Sequence, residues 1–218
     1  GVGIAVAMDA GYKEFGDGEA AVAMVEEIAQ GTEFGRILGS GPAAVGKHFN
    51  HDRVPVVKGQ SIAGYDPRAM LGHGVTFSTS PMGADHTAGN LVGAYLEQKL
   101  DPLNPEGQVE TSRFLQIAMA AFDSMGQCFM ANVALLSPDS FAVLSKVIEA
   151  KLGTRLGPDE FPFGLGIRVL KAEREFNRKA GFTQKDDRLP RLFYEEPLPP
   201  HNTVFVISDE EIDGVFDF

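Results

Sequence analysis

Residues 112–128 read Ser-Arg-Phe-Leu-Gln-Ile-Ala-Met-Ala-Ala-Phe-Asp-Ser-Met-Gly-Gln-Cys, and this stretch gives the clearest indication of the fold. Its apolar side chains recur every three or four residues, which is the spacing of a helix with one buried face. The pattern predicts a helix from about Ser112 to Met125, ending where the chain turns at Gly126. The predicted buried stripe comprises Phe114, Leu115, Ala118, Met119, Phe122 and Met125.

The end of this helix carries a carboxylate, Asp123, and the only cysteine of the chain, Cys128. Asp123 is predicted to lie in the last buried turn, where it needs hydrogen-bond donors because desolvating an unpartnered charge is costly. Gly126 would let the backbone approach a bulky ligand closely. Taken alone, these residues favour a buried, inert cysteine, since free cysteine packs as a small apolar side chain.

The composition is that of an acidic, soluble protein of 218 residues with a formal charge of -11. This charge argues against a nucleic-acid partner, which would require a basic surface. The opening run Gly1–Met8 is apolar but lacks a basic leader and is far shorter than the ~20 apolar residues of a membrane span. A single cysteine forms no internal disulfide, which favours a reducing, cytoplasmic compartment. Because the chain opens on apolar residues without a helix cap or an initiator methionine, we expect it to begin inside an element whose upstream half is missing.

The rest of the chain predicts further helices and little strand. Asp17 and Thr32 are expected N-caps, and Ser137–Asp139 combines a cap, a first-turn proline and a first-turn acid. The only β-prone runs are Val54–Val57 and Thr203–Ser208. We therefore predict an all-α, multihelical fold with at most a small β-hairpin.

Two glycine-containing regions have features of ligand sites. The segment Gly59–Gly93 holds many of the chain's 25 glycines, and such a backbone is predicted to wrap closely around a ligand and to have few contacts of its own without it. Gly41–Lys47 matches most of a phosphate-binding loop, but His48 replaces the hydroxyl residue and the segment follows a helix, so the match is discounted.

Two groups of charged or metal-ligating residues are expected to form no site. His48, His51 and Asp52 fit no metal-binding spacing and are expected in a solvated turn. Five acids near the end of the chain are expected to be surface charge: Glu195, Glu196, Asp209, Glu210 and Glu211.

Four blocks of the sequence, taken in order, resemble the aldehyde ferredoxin oxidoreductase family of tungsten or molybdenum pterin enzymes. They are Tyr-Asp-Pro-Arg at 65–68, Ser-Thr-Ser-Pro-Met-Gly-Ala-Asp-His at 78–86, Asp-x-x-Gly-x-Cys at 123–128, and the run at 173–190 that contains Glu-Arg-x-Phe-Asn, Gly-Phe-Thr and Asp-x-Leu-Pro. The resemblance covers roughly residues 58–199. It implies that residues 1–50 end the family's middle domain and that residues 51–218 form its C-terminal helical domain.

The resemblance implies that the Asp-x-x-Gly-x-Cys block binds cofactors. Asp123 would contact one of the two pterins of a tungsten or molybdenum bis-pterin centre through a charge-assisted hydrogen bond to the pterin's amino edge. Cys128 would be the fourth ligand of a four-iron four-sulfur (4Fe-4S) cluster, bound as a thiolate. Gly126 and Gln127 complete the cofactor-binding set, although Gln127 stands where the family commonly has leucine.

The resemblance also implies catalytic roles for His86 and Tyr65. With an unperturbed pKa of ~6.5, His86 would take or give a proton near the metal. Tyr65 would hydrogen-bond a substrate carbonyl oxygen and stabilise charge that develops there. The residues by themselves also fit structural roles, with His86 in a loop or helix cap and Tyr65 as an anchor before a proline-fixed turn.

The implied activity is oxidation of an aldehyde to a carboxylic acid, with electrons passed through the pterin-bound metal and the cluster to ferredoxin or a similar acceptor. Asp85 stands where many members have cysteine, and its block is similar to a branch containing aromatic-ring reductase subunits, so reduction of an aromatic acyl thioester is an alternative. A cofactor-free helical scaffold or docking module is another.

We expect this chain to be inactive alone, because one cysteine cannot hold a 4Fe-4S cluster and the remaining ligands would lie in missing N-terminal domains. The helices of the first fifty residues are expected to pack on the rest of the chain or on a second copy, which makes a homo-oligomer an open alternative. Their unpaired apolar side chains are expected to leave an exposed patch.

Overall fold

In the computed structural model, which describes residues 1–133, 137–157 and 159–218, the chain is mostly helical. The only paired strands of the described residues form one short antiparallel hairpin, so the predicted fold class is confirmed. None of the described helices combines the length and apolar character needed to cross a bilayer. In chain order the elements are α1 (Val2–Asp9), α2 (Gly18–Gln30), α3 (Glu33–Gly39), α4 (Pro42–Phe49), β1 (Val56–Val57), β2 (Gln60–Ser61), α5 (Leu71–Thr79), α6 (Val92–Leu96), α7 (Gln108–Ser124), α8 (Phe129–Val133), α9 (Pro138–Leu152), α10 (Leu165–Lys179), α11 (Leu192–Glu195) and α12 (Asp209–Gly214).

The predicted caps of the first helices are present. The Asp17 side chain accepts a hydrogen bond from the amide of Ala20, and the Thr32 hydroxyl accepts one from the amide of Gly35. The segment from Gly39 to Gly46, which reads as a break in the sequence, instead contains most of helix α4. Pro42 occupies its first turn, where the missing proline amide costs nothing because that amide has no helical partner.

The N-terminal helices enclose their own apolar cluster, which includes Val6, Met24 and Val45. On the outer side of α2 the side chains of Val22 and Val25 are 60% and 54% exposed, so the expected apolar patch is present. The helices are tied to the remainder by the ion pairs of Asp9, in α1, with His51 and Arg53. The assignment of residues 1–50 and 51–218 to two domains stays a prediction.

The glycine-rich segment is packed by the protein itself, and the expectation that it has few contacts of its own is wrong for α5. All nine residues of this helix are buried. A methyl group added at Gly72 would overlap Leu91, and one added at Gly74 would overlap the ring of Phe205. These glycines therefore allow close helix packing rather than close approach of a ligand.

Helix α7 lies against α5 on one side and α10 on the other, and its buried face differs from the predicted one. Phe114 is 47% exposed, whereas Ser112 and Gln116 are fully buried. The reason is that α5 presents the hydroxyls of Thr76 and Thr79 to α7, and these pair with the polar side chains. The apolar spacing therefore located the helix correctly but not all of its buried face.

The C-terminal part contains one confirmed helix prediction and one wrong strand prediction. Helix α9 begins after the Ser137 cap and ends at Gly153, which adopts the left-handed conformation, as predicted. The run Thr203–Ser208 forms no strand and makes only an isolated bridge between Leu198 and Thr203. The side chains of Phe205 and Ile207 are instead inserted into the core, whereas that of Val206 is exposed.

The crossing of α7 and α10 predicts a large effect of one added methyl group. A Cβ at Gly166 would overlap the backbone carbonyl of Ile117, which cannot move without displacing α7. We expect Gly166→Ala to destabilise the protein by about 1–3 kcal/mol, as overpacking usually does. Urea unfolding measures this. The matched control is Gly93→Ala, where no atom lies within 4 Å and we expect neutrality or slight stabilisation; equal midpoints for the two variants would contradict the close crossing.

Candidate functional site

A pocket of about 290 Å³ lies where the segment after α5 meets helices α7 and α10. Its polar lining consists mainly of hydrogen-bond acceptors, the carboxylates of Asp85, Asp123 and Glu173, with the amide of Gln116 on the closed inner side. Its apolar lining includes Leu170 and neighbouring small or aliphatic side chains. No lysine or arginine is among the residues that line it.

Among the described residues, no positively charged side chain pairs with the carboxylate of Asp123 or Glu173. None of the described residues donates a hydrogen bond to either group or forms an ion pair with it, whereas Asp85 accepts from the amide and hydroxyl of Thr87. Desolvation, and then the neighbouring charge of Asp85, raises the pKa of Asp123. Desolvation, and then the charge of Asp123, raises the pKa of Glu173. The pocket therefore favours a ligand that brings its own N–H donors or positive charge.

Asp123 is more exposed than predicted. The expectation of a buried turn around it is wrong, because helix α7 turns this residue towards the mouth of the pocket. Its missing donors are thus explained by access to solvent and to a ligand, and not by a satisfied interior site.

Tyr65 and His86 lie together, with ring centroids 5.2 Å apart. The Nδ1 atom of His86 is 4.0 Å from a carboxylate oxygen of Asp85, which also lines the pocket. Asp85 therefore links the Tyr65–His86 pair to the pocket that contains Asp123. The structure brings these three predicted residues into one region although they come from three separate sequence blocks.

A second histidine, the buried His73, packs against Tyr65. Its ring is stacked on Tyr65 with centroids 4.8 Å apart and an interplanar angle of 18°. Burial lowers the pKa of His73 to about 4, and neither ring nitrogen has a partner in hydrogen-bonding geometry; the nearby side chain of Asn90, which favours the protonated form, offsets only part of this effect. A neutral imidazole thus supports the inner face of Tyr65.

The remaining predicted cofactor residues follow α7 in a turn. Gly126 has a φ of 70°, which glycine adopts without strain, and the side-chain oxygen of Gln127 is buried without a hydrogen-bond partner. Cys128 is exposed, so the interpretation of a buried, inert thiol is wrong. Within the described ranges no group of three histidine, cysteine, aspartate or glutamate residues is arranged to hold a metal ion.

Several residues that were expected to form no site make ion pairs. His51 pairs with Asp9 at 2.8 Å, in place of a metal site. The acidic Glu196 and Asp209 pair with Arg53 and Arg188. These groups are exposed or half-buried, as predicted, but His48 lies in helix α4 and not in a turn.

Three residues of this region were given no role by sequence reasoning. Gln116 falls between apolar positions of α7, His73 lies in a glycine-rich run, and Glu173 belongs to a matching block without an assigned function. Only Glu173 carried a signal that could have found it, since it lies in the Glu-Arg-x-Phe-Asn run. Gln116 is oriented by Thr79, which is distant in sequence, and the stacking of His73 on Tyr65 depends on how the backbone between them folds.

The pocket residues fit a pterin, whose amino and ring N–H groups are donors that complement carboxylate and amide oxygens. The described residues do not fit a complete 4Fe-4S cluster, which needs four ligands, because the chain has a single cysteine.

The fold and the pocket together define a helical segment that carries an acceptor-lined pocket. A family model described as "Aldehyde ferredoxin oxidoreductase, domains 2 & 3" matches residues 2–213. The chain therefore belongs to the aldehyde ferredoxin oxidoreductase family, a family of oxidoreductases.

Curated relatives agree with this assignment. The chain is 31% identical over 191 residues to a tungsten-containing aldehyde ferredoxin oxidoreductase of Pyrococcus horikoshii, covering 85% of the chain and 31% of the relative. It is 29% identical over 181 residues to the protein of the same name from Pyrococcus furiosus, covering 80% and 29%. The chain thus spans about three-tenths of the length of the curated relatives it matches.

Because the pKa values of Asp123 and Glu173 are raised, we predict that removing either charge increases the stability of the folded protein in a pH-dependent way. The folded protein binds more protons than the unfolded chain just above the usual carboxyl pKa of 3.8, so these groups lower stability as the pH rises through that window. We expect Asp123→Asn or Glu173→Gln to stabilise the protein at pH 7, by less than about 1 kcal/mol because both carboxylates reach solvent. At pH 3.5 the gain should shrink.

Urea unfolding at the two pH values tests this expectation. Glu26→Gln, at an exposed position of α2, serves as the control and should show no such pH-dependent gain. Destabilisation at pH 7 by Asp123→Asn would show that its carboxylate has a donor in the folded protein.

Proposed function

We propose that this chain is the pterin-binding C-terminal part of an oxidoreductase that oxidises an aldehyde to a carboxylic acid and passes the electrons to ferredoxin or a similar acceptor. The observation that carries the proposal is the unbalanced acceptor pocket at Asp123, which adjoins the Tyr65–His86 pair through Asp85. Family membership supplies the reaction class.

Asp123 is the residue we assign to the pterin. Its carboxylate lies at the pocket mouth without a protein donor, and its raised pKa reports an environment in which a donor-bearing ligand would relieve the unfavourable charge. Two pterins holding tungsten or molybdenum would supply the two-electron redox chemistry. The relatives' names specify tungsten, which favours that metal.

His86 and Tyr65 are the residues we assign to the substrate. His86 is partly exposed and lies beside Asp85, so its imidazole is accessible for proton exchange with a bound substrate. The Tyr65 ring contacts the rings of both His73 and His86, which restricts where its phenol can donate a hydrogen bond to a carbonyl oxygen.

Cys128 is the residue we assign to the 4Fe-4S cluster. Its exposure at the end of α7 leaves the thiol accessible to a cluster held mainly by another part of the protein. The other three ligands would come from the polypeptide that corresponds to the rest of the relatives' length. On this proposal the chain works only together with that part.

Replacing His86 tests the catalytic assignment. In the protein assembled with the remaining family domains, we expect His86→Ala to lower aldehyde-dependent reduction of a viologen dye by about 10²-fold or more, because proton transfer contributes at least this much. The control is His201→Ala, whose imidazole is exposed and outside the pocket. Full activity of His86→Ala would remove its proposed role, and reduction of an aromatic acyl thioester without aldehyde oxidation would support the alternative reaction.

Iron content tests the assignment of Cys128. We expect the separate chain, treated anaerobically with iron and sulfide, to fall short of the four irons per chain of a complete cluster, because one thiolate cannot replace four. In the assembled protein, Cys128→Ser should lower cluster content and change the cluster's paramagnetic resonance spectrum. A monomeric separate chain with four irons, or an unchanged spectrum in the variant, would contradict the assignment.

A further inference from the structure

Helix α7 carries two buried glutamines with opposite hydrogen-bonding states. Gln108 is satisfied, since its amide nitrogen donates to the carbonyls of Asp101 and Asn104 and its oxygen accepts from the hydroxyl of Tyr95. Gln116 is only 1% exposed, yet its side-chain oxygen has no partner in the described part of the chain. A buried carbonyl without a partner is unusual and calls for a physical explanation.

The orientation of the Gln116 amide is set by two hydroxyl groups. The Thr79 hydroxyl donates to the carbonyl of Val75, so towards Gln116 it can only accept. The Thr76 hydroxyl is engaged with the carbonyls of Gly72 and Gly89, which leaves the Ser112 hydroxyl to donate to Thr76 and to accept from Gln116.

Both of these hydroxyls accept from the Gln116 amide nitrogen, at 2.9 Å from Thr79 and 3.1 Å from Ser112. Turning the amide around would place its oxygen against two groups whose hydrogens are already used. The nitrogen is therefore directed at the α5–α7 interface, and the oxygen remains an acceptor at the inner side of the pocket that Gln116 lines.

We propose that the Gln116 side-chain oxygen accepts a hydrogen bond from a ring or amino N–H of the ligand of this pocket, and so acts as a specificity-determining residue. The inference rests on the proposed function for the identity of the ligand. Gln116 would be a neutral acceptor deep in the pocket, while Asp123 and Glu173 are charged acceptors at its mouth.

The acceptor groups of the pocket, with no facing cation, select a planar ligand edge with several donors. A 2-amino-4-oxopteridine carries such an edge. The corresponding 2,4-dioxopteridine has the same shape but presents an oxygen in place of the amino group. That oxygen would face acceptor atoms, so the pocket should discriminate between the two compounds.

The test compares binding of 6-hydroxymethylpterin and lumazine, the 2,4-dioxopteridine, to the 218-residue chain by fluorescence titration. We expect the pterin to bind more tightly than lumazine, and Gln116→Met to weaken pterin binding about tenfold, which is the worth of one buried hydrogen bond. Gln108→Met is the matched control, because it removes a buried glutamine of the same helix away from the pocket, and it should leave pterin affinity unchanged.

A measurement on the unaltered protein avoids any folding defect of the variants. Addition of the pterin should shift the NMR signals of the Gln116 side-chain amide and leave those of Gln108 in place. Unchanged Gln116 signals on pterin binding, or equal pterin affinity of Gln116→Met and the wild type, would overturn the inference. If Asp123→Asn still weakened pterin binding in that case, the proposed function would stand without it. Absence of any pterin binding by the wild-type chain would count against both.

Discussion

The contact between α5 and α7 is the constraint on which the rest of the structure depends. Four polar side chains, Thr76, Thr79, Ser112 and Gln116, form a buried hydrogen-bond network between the two helices. Because such a network is favourable only when its geometry is met, it fixes the rotation of α7 about its axis. The rotation turns Phe114 outwards and brings the end of α7 to the pocket.

The pocket and the aromatic stack are two results of this placement. On one side, α10 crosses α7 so closely that Gly166 lies against the backbone of Ile117, and this crossing brings Glu173 to the pocket that Asp123 lines. On the other side, α5 carries His73 into the core, where its neutral ring supports Tyr65. The same packing therefore builds an acceptor-rich pocket and holds the aromatic pair beside it.

The charges of the pocket contrast with an ion pair elsewhere in the fold. The buried carboxylate of Asp187 has cationic partners in Lys58 and Arg174. At Asp123 and Glu173 the described residues offer none, and the cost appears in the raised pKa of both groups. Local instability of this kind is typical of a site prepared for a ligand.

The sequence by itself determined the helical class, the caps at Asp17, Thr32 and Ser137, and the family, because capping and short ordered blocks depend on residues close together in the chain. It also singled out Asp123 from its place at the end of a helix, whereas Tyr65 and His86 were given site roles only through the resemblance.

Only the tertiary structure decided which face of α7 is buried, that Asp123 and Cys128 are exposed, and that Gln116, Glu173 and His73 belong to the region of the site. The spacing of apolar residues does not predict which face of α7 is buried, because polar side chains of α7 are buried through hydrogen bonds to hydroxyl groups of α5. The charge beside Glu173 and the Thr79 hydroxyl bonded to Gln116 come from distant segments of the chain. The stacking of His73 on Tyr65, eight residues away, depends on how the backbone between them folds.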